Sequence, residues 1–201
     1  MASVTISPKQ VSELRARTGA GMMDCKRALE EAAGDMDRAA EILRKKGIAK
    51  AEKRAGRSAA QGVVVSYIHH NQQVGVLLEL DCETDFVART EAFQQLARDL
   101  ALHVASADPI GVNPEDIPPE LLERERRIAE EQVAAEGKPE AVRAKIVEGK
   151  LKKFVAERAL TEQPYVKDES KTVGQLIKEV SGTLGEAVRV RRFARFRVGE
   201  G

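Results

Sequence analysis

Cys82-Glu83-Thr84-Asp85-Phe86-Val87-Ala88-Arg89 sets two carboxylates and a hydroxyl beside a phenylalanine at a polar corner. The 201 residues include only five Phe, two Tyr and no Trp. An aromatic placed where a core would hardly use it suggests a side chain meant to enter something else. The neighbouring carboxylate suits a target that contains a cation or a helix N-terminus. The chemistry implied is displacement of groups on another molecule, with no bond made or broken. Simpler roles exist for each residue. Phe86 could tuck back beneath its own helix, Asp85 has the type of a helix cap or turn former, and Thr84 suits shaping the corner.

Other reactive residue types form no constellation. Cys25 and Cys82 are too few and too far apart for a disulfide framework or a metal site. No base is placed in sequence to activate either, so both read as buried small apolar residues. His69 and His70, as neighbours on a strand, would point to opposite faces and could not share a metal. There is no Gly-rich phosphate loop, no paired acid and base, and no nucleophile motif, so no enzyme activity, cofactor or metal is expected. With 33 basic and 32 acidic residues the net charge is +1, which predicts no polyanion partner. A content of 42% hydrophobic and 32% charged residues reads as a soluble, globular, surface-rich protein. No stretch approaches the roughly 18 apolar residues of a membrane helix. The segment from Met1 to Lys9 lacks a signal-peptide core. Cytoplasmic residence with reduced thiols is the expectation.

The elements that must position the corner can be read from local signals. Ser7-Pro8-Lys9-Gln10 opens a helix with a Ser cap, Pro at its first position and Gln in the capping-box position. Val11 and Leu14 line it until Thr18-Gly19 stops it. A second helix runs from Met22 or Met23 to Ala32, with Cys25, Ala28, Leu29 and Ala32 at helical spacing. Met22 and Met23 are adjacent and cannot both face one small core, so at least one should be exposed. Asp35 caps a third helix, with Met36, Ala39, Ala40 and Leu43 inward and Gly47 as its end. Residues 1–47 thus form a small three-helix module, marginal alone. Residues 48–61 read as a basic linker that can be helical at its start.

Residues 62–201 read as an α+β core. Gly62–His69 and Val74–Cys82 form a hairpin, with Val63, Val65 and Tyr67 on one face of the first strand. Val76, Leu78, Leu80 and Cys82 share a face of the second, opposite Glu79 and Asp81. Phe93, Leu96, Ala97, Leu100 and Val104 mark a helix ending before Pro109. Residues 110–119 are loop. About 120–160 is a helical arm of two charged amphipathic helices broken at Gly137-Lys138-Pro139. Val142, Ile146, Leu151, Phe154 and Val155 give the second its apolar side. A last helix spans Thr172–Leu184, and a strand spans Ala187–Val198. Alternation puts Val188, Val190, Ala194, Phe196 and Val198 on one face of that strand, and Arg189, Arg191, Phe193, Arg195 and Arg197 on the other. The result is a small antiparallel sheet packed by helices.

Two runs in correct order, Leu14–Leu29 (LRARTGAGMMDCKRAL) and Cys82–Arg89 (CETDFVAR), resemble the signature segments of the bacterial translation elongation factor Ts family. The order of elements matches over essentially the whole chain. The resemblance implies a guanine-nucleotide exchange factor for elongation factor Tu, acting on bound GDP or GTP. It implies that the three-helix module is similar to ubiquitin-associated domains and docks on the GTPase through Leu14, Thr18, Gly19, Met22 and Met23. It implies that Thr84, Asp85, Phe86 and Val87 push in beside the Mg²⁺ site so that magnesium coordination is lost.

Longer members of the family carry a second, related core half, whereas one hairpin-plus-terminal-strand unit is expected in this sequence. A three-stranded sheet has exposed edges and a face to cover, so a homodimer joined through the core sheet is expected. Ala194 stands in the terminal strand with no Cys, so such a dimer is noncovalent there. The rival is an RNA-binding, translation-associated protein using the Arg-rich terminal strand, with Phe193 as a stacking platform. Near-neutral charge and the lack of an RNA-module signature argue against it, and no nucleic-acid contact and no membrane are expected.

Overall fold

The computed structural model describes residues 6–137 and 139–200. Eight α-helices and two small sheets are present among the described residues, giving an α+β fold. The described residues group into two compact units, neither of them one continuous stretch. One takes the described part of Met1–Gly62 together with Asp81–Gln94 and Ile177–Arg189; the other takes Val63–Leu80, Gln95–Leu176 and the described part of Val190–Gly201.

In the first unit, helices α1 (Pro8–Thr18), α2 (Met22–Glu31) and α3 (Met36–Arg54) pack around Val11, Leu14, Cys25, Ala28, Leu29, Ala32 and Ala39. Local chemistry sets their ends. Gln10 donates its N–H to Ser7 Oγ (3.3 Å) while Gln10 Oε1 accepts the Ser7 N–H (3.0 Å). Gly19 takes φ +68 to end α1, and Asp35 accepts the N–H groups of Asp37 and Arg38 at 2.9 Å to begin α3.

Gly47 does not end the third helix. α3 continues to Arg54 through an Ala- and Lys-rich run whose helix propensity outweighs one glycine. The glycine that a close approach requires here is Gly182: a Cβ on it would lie 2.6 Å from the Gly47 carbonyl oxygen, whereas one on Gly47 would meet only Gly182 Cα at 3.8 Å. Much of the basic stretch after residue 47 is therefore helix, and it is anchored, with Lys178 Nζ 2.9 Å from Glu52 Oε1.

In the second unit, the main sheet has the order β1 (Gln61–Ile68), β2 (Val74–Cys82), β5 (Arg189–Arg197), and each of the three strands has one or two terminal residues in the first unit. β5 runs antiparallel to β2: Val198 donates to the Gln73 carbonyl (3.0 Å), and Arg192 meets Glu79 farther along (2.6 Å). Val76, Leu78 and Leu80 are buried, as are Leu96, Leu100, Ala101 and Val104 of α5 (Glu91–Ala107). The alternation expected for the last strand slips by one. Val190 is buried, Arg191 and Arg192 are both exposed, and Phe193 and Arg195 then turn inward while Phe196 and Val198 are exposed. Arg195 is the reason. Its guanidinium reaches the Ala105 carbonyl (3.4 Å), Asp108 (3.0 Å) and Glu200 (2.9 Å), so an arginine takes an inward place.

The arm is α6 (Pro119–Ala135) against α7 (Glu140–Arg158), with Gly137 at φ +65 between them. Its seam is Ala129, Val133 and Val147, with Ile146 and Leu151 partly buried; Val142 is exposed, not part of it. A hairpin of β3 (Pro164–Tyr165) and β4 (Asp168–Thr172), unanticipated from sequence, leads into α8 (Val173–Leu184). Under it His103 Nε2 lies 2.9 Å from Gln163 Oε1 and His103 Nδ1 accepts the Val166 N–H at 3.3 Å. That second bond fixes the neutral tautomer with Nε2–H donating to Gln163. Among the described residues no helix is long and apolar enough to cross a membrane.

Candidate functional site

The corner after β2 is held by two carboxylates that reach across it in opposite directions. Glu186 Oε2 accepts the N–H groups of Glu83 (3.1 Å) and Thr84 (3.0 Å), and Glu186 Oε1 accepts the Thr84 hydroxyl at 2.6 Å. In return Glu83 Oε1 accepts the Ala187 N–H at 2.7 Å. Arg57 Nη1 stands 3.4 Å from both Glu83 oxygens. The Ala187 N–H first, and the charges of Arg57 and Arg54 after it, hold the Glu83 carboxyl below its ordinary 4.5. Ser181 closes the far side by donating to the Glu186 carbonyl at 2.5 Å. Charge-assisted bonds of this kind are stronger than neutral ones.

On this base stands a single helical turn, α4 (Asp85–Ala88). Thr84 is its cap, with φ −129 and ψ 155, and its Oγ accepts the Val87 N–H at 3.4 Å. Asp85 sits one place inside the turn and pairs with Arg89 at 2.9 Å. Ala88 is buried and Val87 is half-buried. Phe86 does not tuck under its helix: 79% of it faces solvent. Cys82 lies beneath, donating to the Thr84 carbonyl at 3.1 Å. Burial first, and the Glu186 charge second, push this thiol up to about 11, so it stays protonated and unreactive.

The second set of candidate residues lies around the α1–α2 turn in the same unit. Met22 and Met23 are 48% and 61% exposed, so both face solvent. Thr18 donates to the Leu14 carbonyl (2.7 Å) and its Oγ accepts the Ala20 N–H (3.4 Å), shaping the loop. A Cβ on Gly19 would stand 2.9 Å from Thr183 Cγ2, so this turn rests on the end of α8. Leu14 is fully buried in the module core and offers no surface; it supports the loop from within.

Glu186 and Ala187 were not singled out by sequence reasoning. The only local signal is an acid directly after the helix-ending Gly185, which has φ +80. His69 and His70 lie just past β1, their ring centroids 4.1 Å apart, so strand alternation does not separate them; His69 Nδ1 is 2.9 Å from the Tyr67 hydroxyl. Among the described residues no cluster of His, Cys, Asp or Glu could hold a metal ion. In the terminal strand Arg189, Arg192, Arg195 and Arg197 all meet carboxylates of the chain itself.

Residues 7–200 match the family model described as Elongation factor TS. A protein named Elongation factor Ts from Thermosipho melanesiensis is 55% identical over 195 residues, 97% of this chain and 100% of that protein. Proteins of the same name from Carboxydothermus hydrogenoformans and Desulfosudis oleivorans are 54% and 50% identical over 196 residues, each 98% of this chain and 90% and 99% of the relatives.

Proposed function

We propose that this chain, which belongs to the elongation factor Ts family, binds elongation factor Tu–GDP and promotes GDP release during translation elongation. It acts in the cytoplasm as an exchange factor, without covalent chemistry and without a cofactor of its own. The observation that carries this reading is Phe86, 79% exposed on a turn whose backbone is tied down at its base. An aromatic held out in this way does little for its own fold and is positioned to fill a space in a partner.

In the proposed mechanism residues 1–47 dock through Met22 and Met23, with Thr18 and Gly19 shaping the loop and Leu14 beneath it. The polarizable methionines suit an adaptable interface. Phe86 then enters beside the partner's Mg²⁺ site, with Thr84, Asp85 and Val87 setting its approach. Mg²⁺ and backbone donors hold the nucleotide largely by electrostatics. Losing the metal leaves the phosphate charges unneutralised, and nucleotide affinity falls. By linkage, a returning nucleotide weakens the factor in turn and expels it.

Val64, Ile68, Leu77, Phe196 and Val198 leave apolar side chains of the main sheet exposed. They support a noncovalent homodimer joined through that sheet. Internal pairing of four terminal-strand arginines supports the absence of a direct nucleic-acid contact.

The deciding experiment is release of a fluorescent GDP analogue from purified elongation factor Tu, with and without this protein. The protein accelerates release, and Asp85→Ala with Phe86→Ala slows it greatly while circular dichroism is unchanged. Wild-type acceleration by the double variant sinks the wedge role.

A further inference from the structure

We infer that Glu186, with Glu83 as its counterpart, is a positioning residue for exchange: its carboxylate fixes the backbone from which Phe86 projects. This inference rests on the wedge role proposed for Phe86. Three hydrogen bonds converge on one side chain, from the Glu83 and Thr84 amides and the Thr84 hydroxyl. Thr84 is in turn the cap of α4, so Glu186 reaches the wedge through one residue. A four-residue helix has no stability of its own, because a single turn fixes more torsions than its bonds repay. Its conformation must therefore come from outside, and this carboxylate is placed to supply it.

The donors are matched to the acceptor. Both oxygens of Glu186 are used, and the Ser181 bond to its carbonyl fixes the backbone it hangs from. The Glu83–Ala187 bond runs the opposite way and keeps the two segments in register. Both Glu186 oxygens are engaged within the chain, and its effect on exchange passes through the orientation of Phe86. A fixed wedge spends binding energy on displacement, whereas a loose one must first be ordered.

The test compares wild type, Glu186→Ala, Glu186→Gln, Phe86→Ala and the Phe86→Ala/Glu186→Ala double variant in the full chain. Nucleotide release is measured from elongation factor Tu against factor concentration. Amide exchange at Glu83 and Thr84 is read in the free protein. Glu186→Ala is expected to lose protection at both amides and to slow release at saturating factor by about tenfold or more, as hydrogen bonds to a charged group imply. The half-saturating concentration should change little, because Met22 and Met23 still dock. Glu186→Gln keeps one carbonyl acceptor and should recover part of the rate even if the alanine variant folds poorly. The double variant should be no slower than Phe86→Ala alone. Wild-type release by Glu186→Ala, or a defect that adds in full to that of Phe86→Ala, overturns the positioning role. Wild-type release by Phe86→Ala defeats the wedge itself, and that result is read independently of Glu186.

Discussion

At the corner after β2 and on the main sheet, apolar side chains reach solvent by opposite means. At the corner one phenylalanine stands out from a short turn fixed by charged hydrogen bonds. On the main sheet Val64, Ile68, Leu77 and Phe196, with Val198 just past the end of β5, are exposed on backbone held by the sheet ladder. The corner presents a point whose direction matters. The sheet presents an area whose size matters. A point suits insertion and displacement; an area suits burial against another area. Exposure alone therefore does not distinguish a wedge from an interface, whereas the way the backbone beneath is held does.

The sharpest way to break this comparison is Phe86→Ala by itself. The exposed ring should cost nothing in thermal stability, yet its loss should slow nucleotide release about 30-fold or more, the scale of a strong interface hot spot. A slowed rate with an unchanged half-saturating concentration would mark a pure displacement role. Leu77→Lys addresses the area. It should turn a sedimenting dimer into a monomer at micromolar concentration, and leave circular dichroism intact because the side chain is already exposed. A monomeric wild type removes the assigned role of the sheet face.

Gly182→Ala tests how firmly the three-helix module is held within its unit. The new methyl would meet the Gly47 carbonyl at 2.6 Å, so unfolding in urea should show a loss of about 1–3 kcal/mol. Unchanged stability would mean that α3 yields easily at this crossing.

The smallest effect separates the corner from the His103 site beneath the β3–β4 hairpin by pH. Burial holds His103 below its ordinary 6.5, so the unfolded chain takes up its proton first. The stability that His103 contributes is complete above 6.5 and declines as pH falls below it. Glu83 is held below its ordinary 4.5, so its contribution is present above 4.5 and is lost only as pH falls through its lower folded value. Between pH 6.5 and 4.5, amide protection corrected for intrinsic rates should fall at Val166 and persist at Ala187. Parallel loss at both amides would contradict this division.

Much of the fold could be read from short-range signals. The Ser7 capping box, the Gly19 stop, the Asp35 cap and the spacing of Cys25, Ala28, Leu29 and Ala32 are all where the sequence places them. Misreadings share a cause. Gly47 looked like a helix stop because a lone glycine carries that signal, whereas the helix-forming run after it and its packing on Gly182, far away in the chain, carry α3 through. β5 looked evenly alternating because nothing near Arg195 announces that Asp108 and Ala105 will draw it inward. The candidate corner was legible as an exposed aromatic beside carboxylates. Its support was not, since the bond from Thr84 to Glu186 spans 102 positions and leaves no periodic trace.

That span has a consequence for the order in which the protein is made. Glu83 and Ala187 are 104 positions apart, so their bond closes only after the chain beyond α8 exists. The three-helix module, by contrast, is complete in the first third of the sequence and draws its core from nearby residues. A nascent chain thus gains the core of its three-helix module early and the fixed turn beneath Phe86 late. Under the roles proposed above, unfinished chains would be poor at releasing nucleotide.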